Sequence, residues 1–412
     1  MNAARKKTAI LIAVAAFIFL DLSYIFAEGE DAPLQVMTKV YSTKTSDGWT
    51  LSVNRYALKD SPVKKKGAVI LCHGFNINNS FWDLSKKCSL ARYLASDGYD
   101  VWVPSLRGSG LSSKPILADM RGMLKLDIVN VPQVLMKAPL DLTKFDWTID
   151  DHIHQDVPAI IDLVIKESGF DKVYWIGHSM GGIIMFGYLE VETHDRDKIA
   201  GFVPIGSMMV ITQPLSTGLK MIANQKPLLT ASLLINTTAA SQFRNITLGA
   251  VKSPIEELLM DSKNMETDVM YKFFHTAIDD TSPGVVAQFS DSIKTGKMVS
   301  SDNNYSYTAN LRLINTPVLI LGGNKDGFVS EEGLQKTYAM VGSEDKKVVI
   351  FSKADGYSAD YGHCDLILGK DSAKEVYPVI LNWLNDRVSK TLELSTPEGA
   401  IDNTAGAAKA AK

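Results

Sequence analysis

The sequence predicts an α/β fold: a mostly parallel sheet flanked by helices, carrying one inserted, largely helical cap. Three observations point there. Short apolar runs of strand type alternate with longer runs at helix spacing. The run Ala68 to Cys72 is apolar throughout, as a parallel strand buried on both faces must be. The side chains capable of chemistry stand just after strands, where open α/β sheets gather their reactive groups.

In chain order, Val36 to Thr45 and Trp49 to Leu58 alternate in strand fashion around Asp47-Gly48, a type I′ hairpin signal. Ala68 to Cys72 is followed by a helix, Leu84 to Ser96, and a strand, Tyr99 to Val103. Asp151 to Glu167 places apolar residues at 153, 157, 160, 161, 164 and 165, which is helix spacing. Lys172 to Ile176 reads as strand and Met180 to Glu190 as helix; Gly201 to Ile205, Pro317 to Leu321 and Lys347 to Phe351 are further strands, and Lys374 to Val388 is a closing helix. Two segments interrupt the alternation: the long connection Pro104 to Asp150, with Arg107-Gly108-Ser109-Gly110, and an insertion rich in Met, Leu and Ser. The expected organisation is therefore a core of 28–206 and 311–390, a cap or lid of 207–310 and a disordered tail of 391–412. The methionines of the cap, among them Met208, Met209, Met221, Met260, Met265, Met270 and Met298, either line an adaptable apolar surface or pack the cap internally.

A chain of 412 residues with 46% hydrophobic and 22% charged residues can bury a large core. A net charge of −3 without a long basic run gives no footprint for nucleic acid. Arg5, Lys6 and Lys7 precede the apolar run Thr8 to Leu20. As a helix that run spans about 20 Å, short of the roughly 30 Å bilayer core. Residues 1–27 thus read as a signal peptide ending at Ala27; the rival is an anchor using residues 8–27. Both place the rest of the chain outside the cytoplasm, with lipid-surface contact through the N-terminus or the cap. The three cysteines (Cys72, Cys88 and Cys364) cannot all pair within one molecule and match no metal spacing, so neither metal nor cofactor is expected.

The chemistry centres on Gly177-His178-Ser179-Met180-Gly181. This G-x-S-x-G sits between strand and helix, a context that exposes the serine hydroxyl on a sharp turn, with Gly177 and Gly181 where a Cβ would clash. A serine nucleophile needs a base, and the base needs a carboxylate to orient it. Of seven histidines only 194, 275 and 363 follow Ser179. His194 lies in a charged run and His275 inside the insertion, whereas His363 follows the last strand, which makes it the base. Asp326 leaves the strand Pro317 to Leu321 through glycines and is the acid; Asp355 and Asp360 read as turn formers. The backbone N–H groups of Met180 and Phe75 are the candidate oxyanion donors, with Gly74 permitting the bend before Phe75. His73 and His178 read as structural.

With these residues in view, the chain resembles the α/β-hydrolase superfamily from about Val36 to Val388, and within it the acid-lipase branch. The matching stretches are Ser46-Asp47-Gly48 with Trp49 to Tyr56, His73-Gly74-Phe75, Asp156 to Asp162, and Gly362-His363-Cys364-Asp365. The resemblance implies hydrolysis of acyl esters of lipids beneath a mobile cap. One departure is Met180, where acid lipases carry glutamine; the donor there is backbone, so the chemistry is unaffected. A polyhydroxyalkanoate-type depolymerase or a small-ester esterase is the alternative enzyme. A synthase would want cysteine at the elbow and an epoxide hydrolase aspartate. A non-catalytic binding protein on this fold would be expected to lack one of Ser179, Asp326 and His363, and all three stand.

Overall fold

The computed structural model describes residues 36–59, 65–114, 146–192, 195–215, 219–220 and 258–395. The expected signal or anchor, the linker 28–35, most of the 104–150 connection, residues 221–257 of the insertion and the tail from 396 lie outside the described residues.

Eight strands form one sheet: β1 (Val36–Lys44), β2 (Thr50–Leu58), β3 (Ala68–Cys72), β4 (Asp100–Pro104), β5 (Val173–His178), β6 (Ile199–Ile205), β7 (Val318–Gly323) and β8 (Lys346–Phe351). Their order is β1-β2-β4-β3-β5-β6-β7-β8. β1 and β2 pair antiparallel, and β2 runs antiparallel to β4; from β4 to β8 every pairing is parallel. The β3–β5 register runs from Ala68↔Val173 to Cys72↔Gly177, so the chain leaves both strands at the same height. That register brings His73-Gly74-Phe75 beside Ser179.

The hairpin differs from expectation. Gly48 N–H donates to Thr45 O (3.0 Å), and only Gly48 takes positive φ (92°). A type I′ turn needs positive φ at both central residues, so this is a longer loop closed by a left-handed glycine. The helices are α1 (Leu90–Ser96), α2 (Val157–Ser168), α3 (Met180–Val191), α4 (Pro283–Thr295), α5 (Glu331–Met340) and α6 (Ser372–Ser395). The expected helix from Leu84 begins only at Leu90, because the Ser89 hydroxyl caps it by accepting from Arg92 N–H (3.0 Å). α2 continues a helical stretch that starts at Ile149 behind a Thr148–Asp151 capping box. α6 runs beyond the expected core boundary at 390, so 391–395 are helix rather than disordered tail. Pro378 lies inside α6; the next proline, Pro397, follows the end of the helix, and the residue before a proline disfavours helix.

Two apolar clusters cover the sheet. Ile70, Trp102, Trp175 and Ile320 face α2 and α3; Val69, Leu71, Ile176 and Leu321 face α1 and α6. The described part of the insertion is built into the same clusters: Met208, Met209, Val285, Ile293 and Met298 in the first, Met260, Met265, Val269 and Phe273 in the second. Five of the cap methionines therefore pack internally.

Helix α3 buries Glu190, whose Oε1 has no hydrogen-bond partner among the described residues. Burial pushes this carboxyl from an ordinary 4.5 up to about 9. The neutral form stabilises the fold fully below the unfolded value, and that contribution is lost as pH rises toward the folded value. At pH 7 the loss reaches at most on the order of 3 kcal/mol. Glu190→Gln is expected to raise the thermal midpoint at pH 7–8, to leave it nearly unchanged at pH 4, and so to flatten its decline with pH. An equal shift at both pH values would show that burial of this carboxylate is not the cause.

Candidate active site

Ser179 joins β5 to α3 with φ 54° and ψ −120°, a region of backbone that non-glycine residues avoid. Holding it there costs about 1–3 kcal/mol, and the surroundings impose it. Ser179 N–H donates to Ile205 O (2.8 Å), and Ser179 O accepts from the Ser207 hydroxyl (2.8 Å). A Cβ at Gly177 would overlap the Gly181 carbonyl, and one at Gly181 would overlap the Cys72 carbonyl. The elbow thus closes only with glycine at both positions.

Asp326 and His363 stand beside it, beyond the ends of β7 and β8. His363 Nδ1 lies 2.7 Å from Asp326 Oδ2. Asp326 Oδ1 accepts from the N–H groups of Phe328 (2.8 Å) and Val329 (2.9 Å), so the carboxylate is fixed through both oxygens. Its side chain is fully buried and that of His363 nearly so. An acceptor at Nδ1 keeps the ring proton there and leaves the Nε2 lone pair free. Gly206 separates this pair from the serine: a Cβ there would lie 3.2 Å from His363 Nδ1 and 3.4 Å from Asp326 Oδ2, while its neighbours Ile205 and Ser207 bond Ser179. Among the described residues no hydrogen bond joins Ser179 Oγ to His363, as is common before substrate tightens such a site.

Met180 is the first residue of α3, where backbone N–H groups lack intrahelical acceptors. Gly74 presses on the elbow, since a Cβ there would sit 2.8 Å from Ser179 Cβ, and Phe75 follows directly. Neither Met180 N–H nor Phe75 N–H has an acceptor among the described residues. Among the described residues, both N–H groups are free beside the serine.

Two other histidines hold loops. His73 Nε2 accepts from Leu106 N–H (3.1 Å), Nδ1 donates to Gly74 O (3.0 Å), and burial lowers the ring to about 4, so it stays neutral. His178 Nε2 donates to His363 O (3.0 Å), and burial, followed by the neighbouring His363, holds it well below the usual histidine range. Ser352 caps a short turn by accepting from Asp355 N–H (3.2 Å), and Asp360 accepts from Lys353 N–H (3.0 Å) and Asn324 Nδ2 (3.0 Å); among the described residues neither carboxylate bonds His363. His275 is exposed and stacks on Tyr271, and His194 lies outside the described residues.

Sequence reasoning missed the groups that hold this assembly. Arg107 donates to Asp156 (2.8 Å) and to Asp47 (2.7 Å), and His152 Nδ1 lies 2.8 Å from Asp156. Burial opposes the charge on Arg107, but Asp156 and Asp47 together raise it above its ordinary value. The network ties the β1–β2 hairpin, the loop after β4 and the stretch leading into α2. Asp365 accepts from Gly362 N–H (3.0 Å), Asp261 N–H (3.2 Å) and Asn264 Nδ2 (2.9 Å), fixing the histidine loop to the insertion. Burial raises its carboxyl. The signal available for these networks was that Asp47, Asp156 and Asp365 each lie in a stretch that carries the family resemblance. Among the described residues no cluster of His, Cys, Asp and Glu could hold a metal, and all three cysteines are free and buried.

Comparison with known proteins finds lipases and esterases. Lipase lipl-1 of Caenorhabditis elegans is 29% identical over 178 residues, covering 41% of this chain and 39% of the relative, so the match spans about two fifths of that protein's length. Triacylglycerol lipase 1 of Arabidopsis thaliana is 24% identical over 381 residues, 85% of this chain and 88% of the relative. A thermophilic esterase from Thermogutta terrifontis superposes with a TM-score of 0.54 at 17% identity, over 85% of this chain and 99% of the esterase, which speaks to the fold alone. The model of the alpha/beta hydrolase fold matches residues 67–358, well over half of the sequence, and with Ser179 strained on the turn between β5 and α3 the chain belongs to the alpha/beta hydrolase fold family.

Proposed function

We propose that this chain is a serine carboxylic ester hydrolase of lipase type, acting through Ser179, His363 and Asp326 and an acyl-enzyme intermediate. The observation that carries the reading is the His363–Asp326 contact of 2.7 Å beside a serine held at φ 54°. Asp326 keeps the proton on Nδ1, so Nε2 takes the hydroxyl proton as Oγ attacks the ester carbonyl. The Phe75 and Met180 N–H groups receive the negative charge that develops on the carbonyl oxygen. His363 then protonates the departing alcohol, and a water deprotonated by the same nitrogen releases the acid. The lipase relatives, matched over most of this chain in the plant case, support an acyl ester or lipid as the substrate. Export, by a cleaved signal or an anchor within residues 8–27, fits this reading. No helix among the described residues is long and apolar enough to cross a membrane.

The substrate class is tested with p-nitrophenyl esters from acetate to palmitate, with and without detergent micelles. Each buried methylene contributes about 0.8 kcal/mol at most, or roughly fourfold in kcat/KM. kcat/KM is expected to rise from acetate toward medium chains. A preference for acetate with no gain along the series would leave a small-ester hydrolase and refute the lipase assignment.

A further inference from the structure

The loop that carries Phe75 is fixed from both sides. Upstream it is pinned by His73, whose Nε2 meets Leu106 N–H at 3.1 Å and the Ser109 hydroxyl at 3.0 Å. Downstream its partners come from the insertion. Asn78 N–H donates to Ala277 O (2.8 Å), Asp279 N–H donates to Asn76 O (2.9 Å), and Ile77 bridges Ile278. The Asn78 side chain donates to Thr276 O (2.9 Å) and accepts from Ser80 N–H (2.9 Å), and that of Asn76 donates to Asp279 O (3.2 Å). Asn76 is held at φ 56°, a conformation that needs such fixing.

The Asp279 carboxylate joins this clamp to the other pin. Its Oδ2 accepts from Gly110 N–H (2.7 Å), next to the Ser109 that meets His73. Lys114 Nζ donates to both of its oxygens (2.9 and 3.1 Å), and Asn78 Nδ2 lies 3.5 Å from Oδ2. Asp279 and Asn78 are both buried while Lys114 is partly exposed, so the carboxylate end of these bonds is shielded from water. One insertion carboxylate therefore reaches the loop after β3 and the loop after β4 together.

We propose that Asp279, acting with Asn78, is a positioning residue that aims the Phe75 N–H at the reacting carbonyl oxygen, so that oxyanion stabilisation depends on the insertion. This rests on the reading of Ser179 as nucleophile and Phe75 as donor. Asp279 touches no substrate; it fixes the backbone that does. A loop released at this end keeps its fold but loses the alignment on which a charge-stabilising hydrogen bond depends.

The test separates alignment from folding by counting working sites. Active enzyme is titrated with a fluorophosphonate that labels Ser179, and kcat for p-nitrophenyl butyrate is expressed per labelled site. The Ki of a trifluoromethyl ketone, whose adduct carries the oxyanion, is measured in parallel. Asp279→Ala is expected to lower kcat per site about tenfold to a hundredfold, less than the 10²–10³-fold of losing a donor outright. Ki should rise by a similar factor while KM stays within about twofold. Lys294→Ala, which breaks an exposed pair with Asp291, should change none of these. Values of kcat per site and Ki within twofold of wild type in Asp279→Ala overturn the proposal. If that variant does not fold, Asp279→Asn is read in the same way: it retains an acceptor for Gly110 and loses the Lys114 pair, so a smaller parallel change supports the proposal and no change overturns it. A wild-type chain that neither hydrolyses the ester nor is labelled at Ser179 overturns the reading of the site itself, and does so before any Asp279 variant is made.

Discussion

Ser179→Ala is expected to abolish ester hydrolysis, with a fall in kcat of roughly 10⁴-fold or more, and to leave the thermal midpoint nearly unchanged. The reason lies in the geometry. The hydroxyl has no hydrogen bond among the described residues, so its removal leaves no buried partner unsatisfied. Alanine retains a Cβ, so the strain at φ 54° persists. Ser179→Gly makes a sharper comparison: it is equally inactive, but glycine adopts this backbone without penalty, and the variant is expected to be more stable by up to about 1–3 kcal/mol, less the entropy that glycine loses on folding. Stopped-flow and steady-state hydrolysis of p-nitrophenyl butyrate, with thermal melts of all three proteins, check both parts. Activity within tenfold of wild type in Ser179→Ala would remove the nucleophile assignment.

The second large effect is expected from Asp326→Asn, with a loss of about 10⁴-fold in kcat. The amide can turn its NH₂ toward His363 Nδ1, which drives the ring proton to Nε2 and takes away the base. Two N–H groups, those of Phe328 and Val329, also point at Asp326 Oδ1 and fix which way the amide turns. They require the oxygen of asparagine at that position, so the NH₂ falls on the Oδ2 side, facing the imidazole. The wrong tautomer is thus enforced by the backbone. Asp355→Asn and Asp360→Asn serve as comparisons and should retain near-wild-type rates. If either of them were the inactivating change, the acid would be misassigned.

Much of this site was legible in the sequence because its parts are local. Gly177, Ser179 and Gly181 lie within five residues, and the strand before them and the helix after them are each defined by their own periodicity. Asp326 follows the end of β7 closely, and chain order leaves three histidines, of which only His363 lies outside both the insertion and the charged run after α3. The start of α1 was legible but passed over: Ser89, whose hydroxyl accepts from Arg92 N–H, is a preferred N-cap residue. The hairpin type was not legible, and Asp47 there accepts from an arginine 60 residues away. Nor could the methionine-rich composition of the insertion say whether those side chains face a ligand or the core; Met209 and Met260 are buried against different faces of the sheet.

The sequence by itself pointed to the sheet flanked by helices, the elbow and the residue types of the candidate groups, because these depend on short-range pattern and on residue type. Tertiary structure decided which distant segments fix that chemistry in place. Asp279 is 201 residues from Asn78 and 169 from Gly110, and Asp365 is 101 from Asn264. Separations of that size leave no periodic trace in one chain. The physical reason is that a buried carboxylate is tolerated only when several donors converge on it, and convergence is a property of the packed fold.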